Sequence, residues 1–119
     1  MIEWKKKSVM AETNVTNRAL GMLGLAMKAG KVVIGTEQVI AYLQKGRVKL
    51  VLVSSSASDG TKKKIHHKCE FYKTRKMELT IETDELGRLL GKTYAPAVVG
   101  VIDENFSDTI VRILNSENA

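Results

Sequence analysis

The sequence has one cysteine and no long apolar run, and both features narrow the kind of protein it encodes. The single cysteine, Cys69, excludes an internal disulfide and suits a reducing compartment. No apolar stretch approaches the ~20 residues of a membrane-spanning helix. The lysine-rich residues 1–7 are not followed by the apolar segment of a secretory signal. These absences predict a soluble cytoplasmic protein without a membrane partner.

Catalytic and metal-binding patterns are also scarce. His66 and His67 are adjacent on a predicted helix, so their side chains point about 100° apart and cannot hold one metal together. Cys69 with His66 provides two ligands where a structural zinc site needs four. Residues 91–93 (Gly-Lys-Thr) follow a helix, and Leu86 stands where a phosphate-binding loop has its first glycine. We therefore expect no catalytic site, no metal and no cofactor.

The length of 119 residues corresponds to one domain. Residues 1–13 show no apolar periodicity, so we expect a flexible amino-terminal tail followed by a single domain over residues 14–119. A domain of this size buries roughly two-thirds of the surface that its unfolded chain exposes, which is enough for a self-supporting core.

Basic residues are concentrated in the middle of the chain, whose net charge is +6. Residues 45–76 contain ten Lys or Arg against two Asp or Glu, whereas residues 77–119 contain three against eight. A basic patch is the expected electrostatic footprint of a polyanionic partner. Lysines also keep small domains soluble, so charge alone leaves both interpretations open.

Short apolar strands alternate with helical segments, which predicts an α/β protein folded as a three-layer α/β/α sandwich. The strands are expected at residues 31–34, 48–53, 77–81 and 97–102. The helices are expected at residues 14–28 (capped by Asn14 or Thr16), 36–45, 61–72, 84–90 (capped by Thr83) and 106–114. Gly21 and Gly24 each cost the first helix up to ~1 kcal/mol relative to alanine, so we expect close packing there.

Three lysines stand at the predicted start of one helix, in the run Thr61-Lys62-Lys63-Lys64. A helix amino terminus carries partial positive charge, so each exposed cation there costs a few tenths of a kcal/mol up to ~1 kcal/mol. The same place favours a phosphate, which helix N–H groups and lysines contact together. We expect anion docking there; the alternative is that the lysines extend into water at little cost.

A second candidate site lies in the run Gly35-Thr36-Glu37-Gln38, before another predicted helix. Gly35 allows a ligand to approach the backbone closely. The amide of Gln38 both donates and accepts hydrogen bonds, so it can read a base edge. Lys28 and Lys31 are expected to flank this helix start with positive charge. Taken alone, the run is also an ordinary helix beginning.

Six short motifs occur in one order within about residues 17–103. They are LGLAMKAGK at 23–31, GTEQV at 35–39, LVLV at 50–53, ASDGTKKK at 57–64, ELGRLLGK at 85–92 and VVGV at 98–101. Together they resemble the kink-turn RNA-binding ribosomal protein superfamily, most closely its bacterial ribosomal-protein-like YlxQ branch. The resemblance implies a mixed four-stranded sheet and a non-catalytic protein that binds structured RNA. Ribosomal RNA, and with it the ribosome, is the expected partner; we expect a monomer without DNA specificity.

The resemblance also implies which residues contact RNA. In that superfamily, the start of the second helix and the loop before the last strand hold the kink and its sheared G·A pairs. By motif, these elements fall on Gly35, Thr36, Glu37 and Gln38, and on Lys92, Thr93, Tyr94 and Ala95. We expect Thr36 and Gln38 to read bases and Lys28, Lys31 and Lys92 to neutralise phosphates. Lys62, Lys63 and Lys64 would extend the basic surface.

The chain departs from the superfamily pattern at several of these positions. Glu37 stands where members often have Asn or Lys, and Ala41 stands where they often have Lys. Residues 92–94 replace small aliphatic residues. Tyr94 is expected either to stack on a base or to pack beside Pro96.

Two other functions compete with RNA binding. One is a protein-interaction module on the same fold, with the acidic residues Glu104, Asp108 and Glu117 facing a basic partner. The other is a small hydrolase or redox protein that uses His66 and Cys69.

Overall fold

The computed structural model describes the backbone of residues 2–116 and the side chains of residues 15–116. Five helices and four strands alternate along this part of the chain. The helices are α1 (Ile2–Lys28), α2 (Thr36–Gln44), α3 (Asp59–Phe71), α4 (Thr83–Leu89) and α5 (Glu104–Asn115). The strands are β1 (Val32–Ile34), β2 (Leu50–Ser54), β3 (Arg75–Leu79) and β4 (Val98–Val101).

The four strands form one mixed sheet in the order β1-β4-β2-β3. β4 is antiparallel to β1 and to β2, whereas β2 and β3 are parallel. A parallel pair requires a crossover connection, and α3 provides it between β2 and β3. The mixed four-stranded sheet expected from the resemblance is confirmed.

Each face of the sheet carries its own apolar core, and β2 contributes to both. Leu50 and Leu52 pack in the core below α1, α4 and α5, whereas Val51 and Val53 pack in the core below α2 and α3. Every residue of β2 is buried. Successive strand side chains point to opposite faces, so an unbroken aliphatic strand supplies both cores. The predicted three-layer α/β/α sandwich is confirmed.

α1 differs from its prediction in two ways. It begins at Ile2, not near Asn14 or Thr16, so its backbone includes most of the predicted tail. The flexibility of residues 1–13 and the domain boundary at residue 14 stay predictions, because the side chains of residues 1–14 lie outside the described part. A Cβ atom on Gly21 or Gly24 would meet nothing within 4 Å. The close packing expected there is therefore wrong for the described residues.

The lengths and apolar character of the helices bear on whether one of them could span a membrane. Between residues 2 and 116, none of them combines the length and the apolar character needed to cross a bilayer.

The first N–H group of α4 donates its hydrogen bond to a residue that is distant in the sequence. Glu82 precedes the helix without a side-chain capping bond, and Thr83 is its first residue, so the prediction that Thr83 caps α4 is wrong. The hydroxyl of Ser56 instead accepts a hydrogen bond from the Thr83 N–H at 3.0 Å. A cap supplied across 27 residues leaves no local sequence pattern.

Ser54 ties the end of β2 to the segment after β3. It is fully buried, its hydroxyl donates to the carbonyl oxygen of Ile81, and it accepts from the Ser56 N–H at 3.1 Å. This arrangement fixes the turn that carries Ser56 to the start of α4. The buried hydroxyl of Ser107, in contrast, has no hydrogen-bonding partner among the described residues.

We expect Ser54→Ala to lower the free energy of unfolding by about 1–3 kcal/mol, because it removes the hydroxyl that bonds to the Ile81 carbonyl and the Ser56 N–H. The carbonyl then keeps only the longer bond from the Ser55 hydroxyl at 3.4 Å. Ser107→Ala is the matched control: it removes a hydroxyl of equal burial without breaking a bond, so stability should stay unchanged or rise. Urea unfolding of the two variants checks both expectations. Equal destabilisation by the two changes would contradict this account.

Candidate nucleic-acid interface

The two elements that the sequence assigned to RNA contact meet at one end of the sheet. Here β1 ends and α2 begins, while the loop of residues 92–97 leads into β4. The N–H of Gly35 donates to the carbonyl oxygen of Val98 at 2.9 Å, and the Ser54 N–H donates to Ala97 at 2.9 Å. The start of α2 and the end of the loop are therefore joined directly through the backbone.

The start of α2 is open to a ligand. Gly35 has φ 103°, a conformation that favours glycine, and no side chain caps the helix. Thr36 is half-buried, and Gln38 is exposed. The first N–H groups of a helix lack partners within it, so this start presents unsatisfied donors next to an exposed amide.

An ion pair joins the start of α2 to α3. The ammonium of Lys64 lies 2.9 Å from Oε1 of Glu37, and both side chains are exposed. The acidic residue that departs from the superfamily pattern is thus partly neutralised by one of the predicted RNA-binding lysines. Solvent screens such a pair, so its strength is modest and a phosphate can compete for the lysine.

The three lysines of α3 do not lie where the sequence placed them. Ser58 caps the helix by accepting from the Thr61 N–H at 3.2 Å, so α3 begins at Asp59 and its first turn is acidic. The prediction that the lysines crowd the first turn is wrong, because the cap stands three residues before Thr61. Their positions follow the opening turn, away from the strongest part of the helix dipole.

The three lysines also differ in whether their ammonium groups already have a polar partner in the protein. Lys62 donates to the carbonyl oxygen of Ser55 at 2.9 Å and lies 3.6 Å from Glu78, so it mainly fastens α3 to the sheet. Lys63 is exposed and forms no ion pair within residues 15–116. Lys63 and Lys64 are the members of this run with exposed side chains, and Lys64 is the one that contacts α2.

The loop of residues 92–95 rests on α4. The Lys92 N–H donates to the carbonyl oxygen of Gly87 at 2.8 Å. A Cβ atom on Gly87 would collide with the carbonyl oxygen of Tyr94 and lie 3.1 Å from Pro96. Glycine at this position thus allows the loop to lie directly on the helix.

The side chains of this loop vary in exposure. Lys92 is half-buried, whereas Thr93, Tyr94 and Ala95 are exposed. The Tyr94 side chain is 54% exposed while Pro96 is buried. This exposure favours the stacking interpretation of Tyr94 over packing beside Pro96.

The structure separates Lys31 from the start of α2. Lys31 precedes β1, and its carbonyl oxygen accepts from Ile102 beyond the far end of β4. At about 3.3 Å per strand residue, four positions put roughly 13 Å between Lys31 and Gly35. Lys28 lines a groove with Gly91 instead, close to the start of the 92–95 loop. The expectation that Lys31 flanks the start of α2 is therefore wrong, whereas for Lys28 it stays a prediction.

The side chains considered for chemistry are poorly placed for it. Cys69 is buried, and this burial raises the pKa of its thiol to about 11, with a smaller opposing effect of Lys76. The thiol is therefore protonated at neutral pH and is a poor nucleophile. His66 lies 3.3 Å from Glu70 on the same helix face, and its ring is 6.1 Å from that of His67. No group of three metal-ligating side chains occurs in the described part of the chain.

Sequence reasoning missed the contribution of residues 54–58 (Ser-Ser-Ser-Ala-Ser) to this end of the molecule. Ser54 and Ser56 connect β2 to the segment before α4, and Ser58 caps α3. A dense serine run directly after a buried strand was the available signal, because hydroxyls satisfy helix N–H groups at such positions.

Comparisons with known proteins agree with this geometry. Residues 17–111 match the sequence profile of the Ribosomal protein L7Ae/L30e/S12e/Gadd45 family. The chain belongs to this family. Among curated relatives, RNA-binding protein YlxQ of Bacillus subtilis (strain 168) is 41% identical over 96 residues, covering 79% of this chain and 92% of the relative. YlxQ of Enterococcus faecium is 37% identical over 90 residues, covering 76% and 84%.

A ribosomal protein and two solved structures are also similar to this chain. Large ribosomal subunit protein eL30 of Trypanosoma brucei brucei is 33% identical over 84 residues, covering 71% of this chain and 80% of the relative. A Bacillus halodurans protein of unknown function superposes with a TM-score of 0.76 at 37% identity, covering 82% of this chain and 97% of that chain. A Giardia lamblia 15.5kD RNA binding protein has a TM-score of 0.69 at 14% identity, covering 86% of both chains, which supports the fold alone. The predicted superfamily is confirmed.

We expect Gly87→Ala to lower the free energy of unfolding by about 1–3 kcal/mol, because the new methyl group displaces backbone and not a flexible side chain. Hydrogen exchange at the Lys92 amide should accelerate as well. Gly60→Ala is the control: Gly60 lies in α3 with open space around it, so alanine should be neutral or slightly stabilising. Similar thermal unfolding of the two variants would remove the assigned role of Gly87.

Proposed function

We propose that this chain binds structured RNA of the kink-turn type, as a non-catalytic protein, through the start of α2 and the adjoining 92–95 loop. The observation that carries the proposal is the hydrogen bond from Gly35 to Val98 at 2.9 Å. This bond places an uncapped helix start and an exposed loop on the same rigid sheet end. The names of the YlxQ relatives as RNA-binding proteins and of eL30 as a ribosomal protein support the same class of partner.

Each part of the interface contributes a different kind of contact. The unsatisfied N–H groups at the start of α2 suit a phosphate, which helix amino termini bind readily. Thr36 and Gln38 would hydrogen-bond to base edges, which is how sequence or motif is read. Tyr94 would stack on a base. Lys92 and the exposed Lys63 would contact phosphates on either side.

The ion pair between Glu37 and Lys64 would reduce the positive charge available to bind RNA at the start of α2. In the free protein, the carboxylate holds Lys64 at 2.9 Å. A phosphate placed at the start of α2 would repel Glu37 and attract Lys64, so binding would exchange one partner of the lysine for another. The net gain is smaller than for a free lysine, which predicts moderate affinity.

The same proposal includes which RNA is bound and where. Ribosomal RNA, reached as part of the ribosome or during its assembly, is the partner we infer, and the protein would act as a monomer in the cytoplasm. The competing function, a protein-interaction module, predicts a different response to salt. RNA binding requires log K to fall by about 0.7–0.9 per phosphate contact for each unit of log salt concentration.

We expect Gln38→Ala to weaken binding of a kink-turn RNA by ~1–3 kcal/mol without lowering thermal stability, because the side chain is exposed. Gln44→Ala, at the other end of the same helix, is the matched control and should bind like the parent. Fluorescence anisotropy at moderate salt measures both affinities. Unchanged binding by Gln38→Ala, or absence of binding by the parent, would remove the assignment.

We expect Glu37→Gln to strengthen binding of the same RNA, because it removes a negative charge and releases Lys64. The slope of log K against log salt should steepen by up to ~0.7–0.9, equivalent to one more phosphate contact. Lys64→Gln in the Glu37→Gln background should cancel the gain. If Glu37→Gln weakens binding, the carboxylate itself contacts RNA and the proposed exchange is incorrect.

A further inference from the structure

Two basic segments lie side by side at the opposite end of the sheet from the candidate interface. Residues 45–49 (Lys-Gly-Arg-Val-Lys) lead into β2, and residues 73–76 (Lys-Thr-Arg-Lys) lead into and begin β3. The parallel register pairs Leu50 with Arg75, so the two segments arrive next to each other. Neither segment contains an acidic residue. We call the surface that they form the basic pole; its members are Lys45, Arg47, Lys49, Lys73 and Arg75.

Most of the charge of the basic pole is uncompensated. All five side chains are exposed. Arg75 pairs with Asp108 at 2.9 Å, and Glu104 lines the same depression from α5. The other four cations have no carboxylate within 4.0 Å among residues 15–116. Against the two carboxylates Asp108 and Glu104, the five cations leave an excess of three positive charges on this surface.

Lys73 adds an observation that points away from a purely structural role. Its φ is 54°, the left-handed conformation that a side chain with a Cβ atom adopts at a cost. Glycine would end α3 at this position with less strain. Position 73 therefore carries a positively charged side chain although its backbone conformation favours glycine.

Aromatic rings accompany these cations. Lys45 and Arg47 lie over the ring of Tyr42, at 5.7 and 5.2 Å from its centroid. Phe71 is 76% exposed, and its ring meets Tyr72 edge-on with centroids 4.9 Å apart. Tyr72 lines a depression of about 430 Å³ that Lys49, Lys73 and Arg75 also line. Phe71 is two residues before Lys73 and packs edge-on against Tyr72, which lines the depression, and the free face of such an exposed ring can stack on a base.

We propose that the basic pole binds a second, unpaired segment of RNA while the opposite end holds the kink-turn. Phosphates would lie on Arg47, Lys49 and Lys73, and one base would stack on Phe71. The proposal takes RNA as the class of polyanion from the proposed function. The protein would then hold two RNA segments on opposite ends of one sheet.

The test uses a labelled oligouridylate of about 12 nucleotides, a length within the range of single-strand binding sites. It is titrated by anisotropy against the full chain, alone and saturated with kink-turn RNA. Lys49→Ala combined with Lys73→Gly removes two charges and relieves the strained φ, so stability should hold or rise. This double variant should bind the oligouridylate at least roughly tenfold more weakly, with a salt slope lower by about 1.4. Phe71→Ala should lower the affinity for the oligouridylate roughly tenfold.

The matched control is Arg18→Ala combined with Arg112→Ala, which removes two exposed charges from α1 and α5, helices that carry no member of the basic pole. It should bind the oligouridylate like the parent. Equal loss in this control, equal loss in Gln38→Ala, or no binding of oligouridylate by the parent overturns the proposal. If kink-turn RNA is not bound but the oligouridylate results hold, the proposed function fails and the basic pole stands.

Discussion

The end of the molecule that carries the candidate interface depends on one backbone hydrogen bond, from the N–H of Gly35 to the carbonyl oxygen of Val98. β1 is only three residues long, so it offers little pairing of its own to fix where α2 begins. The bond extends the β1–β4 ladder by one step, into the turn itself. Because Gly35 has a positive φ, the chain can make this bond and still turn at once into the helix. The helix start and the loop before β4 therefore hold a constant spacing, which the proposed recognition of a bent RNA backbone would require.

The sandwich could be predicted from the sequence because its signal is strong and local. An uninterrupted aliphatic strand such as β2 belongs between two layers, and helices with one apolar face must cover it. The caps could not be predicted as well. The predicted helix start at Thr61 and the predicted cap Thr83 both rest on residue type, but Ser58 caps α3, and the Ser56 hydroxyl accepts from the start of α4 across 27 residues. Capping propensity indicates which residue types can cap a helix, whereas tertiary contacts determine which residue does so.

The candidate site shows the same division. Both RNA-contact elements assigned by motif come together, because the motifs mark the ends of neighbouring strands. The charges were harder to place. Lys31 is four residues from Gly35 but lies at the far end of β1, whereas Lys64 is 27 residues from Glu37 and contacts it. An extended strand separates residues that are close in sequence, and packing between helices brings together residues that are far apart in sequence. The number of lysines in a segment therefore does not predict where their charges lie in the fold.

The arrangement of charge follows from the topology of the sheet. Because β2 and β3 are parallel, the segments before both strands share one end, and the segments after them share the other. The first end receives residues 45–49 and 73–76, which are basic, and the second receives the serine run and the start of α3. A hairpin would instead have placed the residues before one strand beside those after its neighbour, mixing the two surfaces. The parallel crossover through α3 thus keeps the basic pole separate from the candidate interface, so two polyanion segments could be bound without sharing a lysine.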